Sequence, residues 1–179
     1  MKLLLVRHGQ TDYNKADLIQ GQEKDIPLND EGRRQVQLTA RGIPLEVSRI
    51  ISSPLKRAFQ TAEIINERLR KEIELRDELK EFKYGNLAGK SKSEIARLIG
   101  QDVDTWEKQM LFDYRPYGGE NAKDVQRRVL RFIDDAKERF TDEMVLVTAH
   151  GGIIDAMHFL FPQNDRPEGE NASVHEFDL

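Results

Sequence analysis

The decapeptide Lys2-Leu3-Leu4-Leu5-Val6-Arg7-His8-Gly9-Gln10-Thr11 decides the fold. Its apolar run, Leu3 to Val6, reads as a strand buried on both faces, as the central strands of parallel sheets are. Such a strand delivers whatever follows it to the carboxyl edge of the sheet, where open α/β folds bind ligands. Here it delivers Arg7, His8 and Gly9. Arg7 carries a fixed fork of donors suited to an oxyanion. His8 carries a nitrogen that titrates near neutral pH and serves as nucleophile or proton carrier. Gly9 permits a tight turn and a close backbone approach. Taken alone, Arg-His-Gly after a strand also describes a solvated turn, so the reading depends on the rest of the chain.

A second apolar run, Met144 to Thr148, repeats the pattern. It ends in Ala149-His150-Gly151-Gly152, and Ile153 to Leu160 continues as a helix. A third strand spans Val47 to Ser52. Ser53-Pro54 then opens a helix, with Ser53 as its cap and proline in the first turn. Leu55, Ala58, Phe59, Ala62, Ile65 and Leu69 give that helix one apolar face. Arg57 falls in its first turn, where a cation opposes the helix dipole but a bound anion is favoured. If the three strands are parallel neighbours, Arg7-His8, Ser53 with Arg57, and His150 converge on one edge. Two histidines and two arginines form a cationic, donor-rich pocket that suits a phosphoryl group and implies neither metal nor cofactor. Glu81 is the candidate acid for a leaving oxygen, with Phe82 and Leu87 to shield it.

The other elements follow from local signals. Asp12 to Leu28 reads as a polar loop of about 17 residues, long enough to be functional. Asn29 or Asp30 caps a helix to about Arg41, closed by Gly42 and Pro44. Ile73 to Leu75 is a short strand, and the segment from Leu79 to Gly89 is a glycine-punctuated loop. Ser91 with Glu94 makes a capping box for a helix through Ile99. A short helix holds Trp106 and Met110, which together with Phe112 read as lid or core. Asn121 caps a long helix to about Phe140, with Val125, Val129, Phe132, Ile133 and Ala136 on one face. A loop with two prolines runs from Phe161 to Asn171, and Ser173 to Phe177 alternates as an edge strand. His158 reads as packed, and His175 as solvent-facing. The expected architecture is α/β: a three-layer sandwich with a mainly parallel sheet and helices on both faces, all of residues 1–179 in a single domain.

Composition agrees. The chain has 179 residues, of which 38% are hydrophobic and 34% charged, enough for one substantial core and a solvated surface. The net charge of -4 and the lack of a basic block argue against a nucleic-acid partner. No cysteine is present, which removes disulfides, thiolate zinc sites and thiol nucleophiles. No apolar run approaches a membrane span, and the opening run is short for a signal peptide, so a cytoplasmic location is the default expectation. A terminal edge strand leaves monomer and homodimer both open.

With these residues in order, the chain resembles the histidine phosphatase superfamily, in the branch of cofactor-dependent phosphoglycerate mutases and their phosphatase relatives. The resemblance rests on Arg7-His8-Gly9-Gln10-Thr11 with Asn14, and Gly21 with Asp25-Ile26-Pro27-Leu28. It extends to Ser52-Ser53-Pro54-Leu55 with Arg57, Ala58, Gln60, Thr61 and Ala62, and to Leu79-Lys80-Glu81 with Gly85 and Gly89. Gly118-Gly119-Glu120 and Ala149-His150-Gly151-Gly152 complete an ordered set over nearly the whole chain.

The resemblance implies that His8 attacks phosphorus and forms a phosphohistidine. It implies that Arg7, Arg57 and His150 hold the phosphoryl oxygens with help from Asn14. Glu81 then protonates the leaving oxygen and later activates water. Gln20, Gly21 and Tyr84 fall on the substrate side. The implied partner is a small phosphate ester and the implied reaction a metal-independent phosphomonoester hydrolysis. Broad-specificity, α-ribazole phosphate and sugar phosphate hydrolases are all compatible with it. A phosphoglycerate mutase is the alternative: Tyr84 and Lys92 resemble mutase substrate contacts. However, the stretch after Gly100 has Lys108 and Arg115 without the adjacent arginine pair of mutases. An inactive anion-binding module is the second alternative. Gln10 and Leu87-Ala88 depart from the glutamate and the Trp-Glu pair common in relatives, which bears on the leaving-group side.

Overall fold

The computed structural model describes residues 1–162 and 170–179. Strand β1 (Lys2–Arg7) is followed by a one-turn helix α1 (Asp12–Lys15) and then α2 (Asp30–Gly42). Strand β2 (Arg49–Ser52) leads into α3 (Lys56–Leu69) and β3 (Ile73–Leu75). Next come α4 (Lys92–Ile99), α5 (Val103–Lys108) and α6 (Ala122–Arg139). Strand β4 (Met144–Ala149), α7 (Gly151–Leu160) and β5 (Val174–Asp178) complete the order.

The sheet runs β3-β2-β4-β1-β5, with β5 antiparallel to β1 and every other pair parallel. The apolar runs are continuous because both faces are covered. Leu3, Leu5, Val145 and Val147 pack with α6 and α7 on one face. Leu4, Val6, Ile50 and Leu146 pack with α2 and α3 on the other. Period-two alternation of strand side chains puts neighbours on opposite faces, which makes the three layers. This is the α/β architecture that the sequence predicts.

The register aligns the strand ends. Arg7 pairs with Ala149, and Ser52 with Thr148. Beyond the ladders, His8 N–H donates to Ala149 O at 3.0 Å and Ser53 N–H to Thr148 O at 3.0 Å. His8, Ser53 and His150 therefore leave one edge side by side.

Several local expectations change. The loop after Thr11 contains α1, opened by a capping box in which Thr11 and Asn14 bond reciprocally. Ser53 does not cap α3: Leu55 holds the cap position without a side-chain bond, and Asp25 Oδ1 accepts from Lys56 N–H at 2.7 Å instead. His175 faces inward at 1% exposure, with Nδ1 3.0 Å from His158 Nε2 and Nε2 2.9 Å from Ser173 Oγ. It shares the strand face of buried Phe177. Met110 lies beyond α5 but is buried with Phe112. Most of the proline-containing loop, residues 163–169, lies outside the described residues.

Candidate active site

A cavity of about 750 Å³ opens at the carboxyl edge. Arg7, His8, Asn14, Gln20, Gly21, Arg57, Glu81 and Tyr84 all line it. These are the expected site residues except His150, which stands behind His8 with ring centroids 5.2 Å apart and is fully buried.

His8 is 2% exposed, and its Nδ1 lies 2.7 Å from Gly9 O. A carbonyl only accepts, so Nδ1 carries the proton and Nε2 keeps its lone pair. Burial, then Arg57 and Arg7, hold the imidazole well below its usual range, so it is neutral at neutral pH. Gly9 is required here because a Cβ would lie 2.4 Å from Gly32 O, where β1's exit meets α2. Gly9 N–H also donates to Thr61 Oγ1 at 3.2 Å, tying the turn to α3.

Arg57, 1% exposed, enters from the first turn of α3. Its Nη2 donates to Gly21 O at 2.9 Å and its Nη1 to Lys24 O at 3.3 Å, so the loop after α1 aims the guanidinium. Burial lowers its pKa to about 10, which leaves it charged at neutral pH. Gly21 has φ +58°, and a Cβ there would come within 2.9 Å of the Tyr84 ring. Burial likewise lowers Arg7, countered by Glu81 and Asp155. Asn14 Oδ1 accepts from Thr11 N–H and Oγ1, both at 3.0 Å. That leaves its amide NH2 as the end available to the cavity.

His150 Nε2 is 2.9 Å from Ser53 Oγ, which already accepts from Leu55 N–H at 3.3 Å. The hydroxyl has one proton, and among the described residues Nε2 is the acceptor in reach of it, which assigns the ring proton to Nδ1. Nδ1 has no hydrogen-bond partner among the described residues. Burial, then Arg57 and His8, hold this histidine well below its usual range too.

The Glu81 carboxylate is half-buried. It accepts from Phe82 N–H at 2.9 Å and from Gly152 N–H, in the first turn of α7, at 3.3 Å. Its backbone carbonyl is clamped as well: Gln22 Nε2 donates to Glu81 O at 2.8 Å and Arg128 Nη2 at 3.1 Å. Arg128 also reaches Glu78 O and Lys80 O, both at 2.6 Å, and pairs with Glu120 at 3.1 Å. The expected shields are in place, with Phe82 and Leu87 both buried.

Sequence reasoning missed three contributors. Ser53 backs His150 rather than capping α3. Arg128 reads as one more charge on α6 yet is buried. Glu107 is buried in the cavity wall, where its Oε1 accepts from Tyr84 OH at 2.6 Å and Tyr114 OH at 2.8 Å. Tyr84 is thus committed to Glu107 by its hydroxyl. The only prior signal was Tyr84 itself, a phenol that needs an acceptor when buried.

Comparison with known proteins agrees with the geometry. The chain is 30% identical to "Phosphoglycerate mutase-like protein 4" of Arabidopsis thaliana, over 99% of this chain and 79% of that one. It is 33% identical to "Uncharacterized phosphatase PhoE" of Bacillus subtilis, over 86% of this chain and 73% of that one. The solved structure of a mycobacterial glucosyl-3-phosphoglycerate phosphatase in complex with VO3 superposes with a TM-score of 0.84 at 27% identity, over 98% of this chain and 91% of that one. The model of the histidine phosphatase superfamily, branch 1, matches residues 3–178, and with a neutral His8 set between Arg7 and Arg57 the chain belongs to that family.

Proposed function

We propose that this protein hydrolyses small phosphate monoesters through a phosphohistidine at His8, without a metal ion. One observation carries the reading. The Gly9 carbonyl fixes the Nδ1–H tautomer of His8, so that an unprotonated Nε2 stands in a cavity lined by the buried Arg57 guanidinium and the half-buried Arg7. Nε2 attacks phosphorus, and the bond from phosphorus to the ester oxygen breaks. Arg7, Arg57, the Asn14 amide and His150 Nδ1–H hold the equatorial oxygens, where charge builds up in phosphoryl transfer. Glu81 gives its proton to the departing oxygen. It then takes a proton from water as the water oxygen attacks phosphorus, and the electron pair of the P–N bond returns to Nε2.

The retention of His8, Arg7, Arg57 and Glu81 around one cavity supports an enzyme over an inert anion receptor. Hydrolysis is favoured over mutase chemistry because Lys92, which resembles a mutase substrate contact, is already ion-paired to Asp104. The test is phosphate release from p-nitrophenyl phosphate and 3-phosphoglycerate with excess chelator, beside His8→Ala. Chelator-resistant release abolished by the substitution supports the reading. Conversion of 3-phosphoglycerate to 2-phosphoglycerate without release overturns it in favour of a mutase.

A further inference from the structure

The cavity carries charge of both signs. Arg7 and Arg57 serve the phosphoryl group in the proposed reaction. Helices α4 and α5 supply Lys92, Asp104, Glu107 and Lys108 to the same lining, which also includes Asp17, Asp155 and Glu170. Among the described residues, carboxylates therefore outnumber lysines there. Lys92 is engaged by Asp104, with Glu107 Oε2 at 3.9 Å. Lys108 is exposed, where water and salt screen it.

Glu107 differs from the exposed acids around it. It is 5% exposed, held by the two phenols, and aligned against Lys92. Burial raises its pKa to about 7, against the opposing pull of Lys92, Tyr84 and Tyr114. A buried carboxylate is little screened, so it acts strongly on any charge brought into the same cavity. Gln20 adds an independent observation. Its side chain is 6% exposed, lines the cavity, and has an Oε1 with no hydrogen-bond partner among the described residues. A buried acceptor left unmade is costly, and a ligand donor satisfies it. Hydroxyl and ammonium groups donate, whereas carboxylates and phosphates only accept.

We propose that the cavity selects monoesters whose alcohol part donates hydrogen bonds and carries no second anionic group, with Glu107 as the specificity-determining residue. This rests on the phosphatase reading and names its substrate class. Glu107 supplies the repulsive element that excludes anionic alcohols, and Gln20 supplies the acceptor that welcomes donors.

Two matched pairs test it. Glycerol 1-phosphate and 3-phosphoglycerate differ by a hydroxymethyl against a carboxylate. Ethanolamine phosphate and phosphoglycolate differ by an aminomethyl against a carboxylate. The donor member of each pair is expected to exceed its partner in kcat/KM by about tenfold or more. Glu107→Gln is expected to narrow both ratios several-fold, and a ratio is indifferent to the amount of folded enzyme. In the parent enzyme the ratios should rise as pH increases through 7, because Glu107 gains its charge there; in Glu107→Gln that step should vanish. Lys92 (itself paired to Asp104), Glu81, Tyr84 and Tyr114 act on residue 107 and are unchanged in the variant, so a lost step belongs to Glu107. Should Glu107→Gln fail to fold, Gln20→Leu is expected to lower kcat/KM for the donor members more than for the anionic ones. Anionic members that match or exceed their partners, while p-nitrophenyl phosphate is still hydrolysed, overturn this proposal alone. Silence on p-nitrophenyl phosphate as well overturns the phosphatase reading on which it rests.

Discussion

Gly152 N–H donates to Glu81 Oε2 at 3.3 Å, and a Cβ on residue 152 would lie 2.4 Å from Glu81 Oε1. The same Cβ would press on the Phe82 ring at 2.7 Å. The second glycine of the His150-Gly151-Gly152 run is thus the seat of the carboxylate. Gly152→Ala should displace Glu81 at a cost of about 1–3 kcal/mol in packing strain. With Glu81 in its proposed role as the proton donor to the leaving oxygen, the loss in kcat should track leaving-group basicity. Both Gly152→Ala and Glu81→Gln should lose about a hundredfold on glycerol 1-phosphate and much less on p-nitrophenyl phosphate. Equal losses on the two esters would remove Glu81 from the proton-transfer step.

Arg128 places that carboxylate from the other side. Its guanidinium meets the carbonyls of Glu78, Lys80 and Glu81 and the Glu120 carboxylate, with both side chains largely out of solvent. Arg128→Met removes the cation beside Glu120 and the side-chain donor to Glu78 O and Lys80 O, while Gln22 still serves Glu81 O and Lys83 N–H still serves Glu120, which costs about 1–3 kcal/mol. Thermal unfolding should fall by several degrees, and activity on alkyl phosphates should fall with it. An unchanged melting temperature would contradict this.

How legible this site was in the sequence depends on range. Leu3–Val6 and Met144–Thr148 are unbroken apolar runs, so their burial, their parallel pairing and the meeting of His8 with His150 could be read directly. Helix α1 was hidden because four polar residues carry no periodicity; the Thr11–Asn14 capping box was its only trace. The cap of α3 was illegible in principle. Asp25 supplies it from 31 positions upstream, while the local serine is drawn to His150. Glu107 reads as a solvated acid in a charged helix, and only the approach of Tyr84 and Tyr114 buries it. His175 was readable after all: the alternation that predicts β5 puts it in phase with Phe177.

Ser53→Ala tests the pairing with His150. The ring nitrogen Nε2 would lose its partner in a fully buried position, costing about 1–3 kcal/mol. With the tautomer no longer fixed, Nδ1–H is no longer reserved for its proposed phosphoryl contact. The expected result is a fall of about tenfold in kcat for p-nitrophenyl phosphate. Unaltered kcat would mean that His150 does not donate in the transition state.

Acid should destabilise the fold in a defined window. His8 and His150 both have folded pKa values well below the unfolded value of 6.5. Below that pH the unfolded chain binds protons that the folded chain refuses, so their contribution is complete above about pH 6.5 and declines as pH falls. Each histidine adds at most about 1.4 kcal/mol per pH unit to the slope. The urea midpoint of the parent protein should drop between pH 6.5 and 5, and His8→Asn should show a shallower drop. Parallel curves would show that His8 binds its proton as readily folded as unfolded.

The most direct test of the central claim is to trap the covalent intermediate. The enzyme is mixed with a labelled phosphate monoester, quenched in alkali, and digested. Phosphate on the peptide that contains His8, stable in base, lost in acid and missing from His8→Ala, is the predicted result. Turnover by the parent enzyme with no labelled His8 at any quench time would contradict the account.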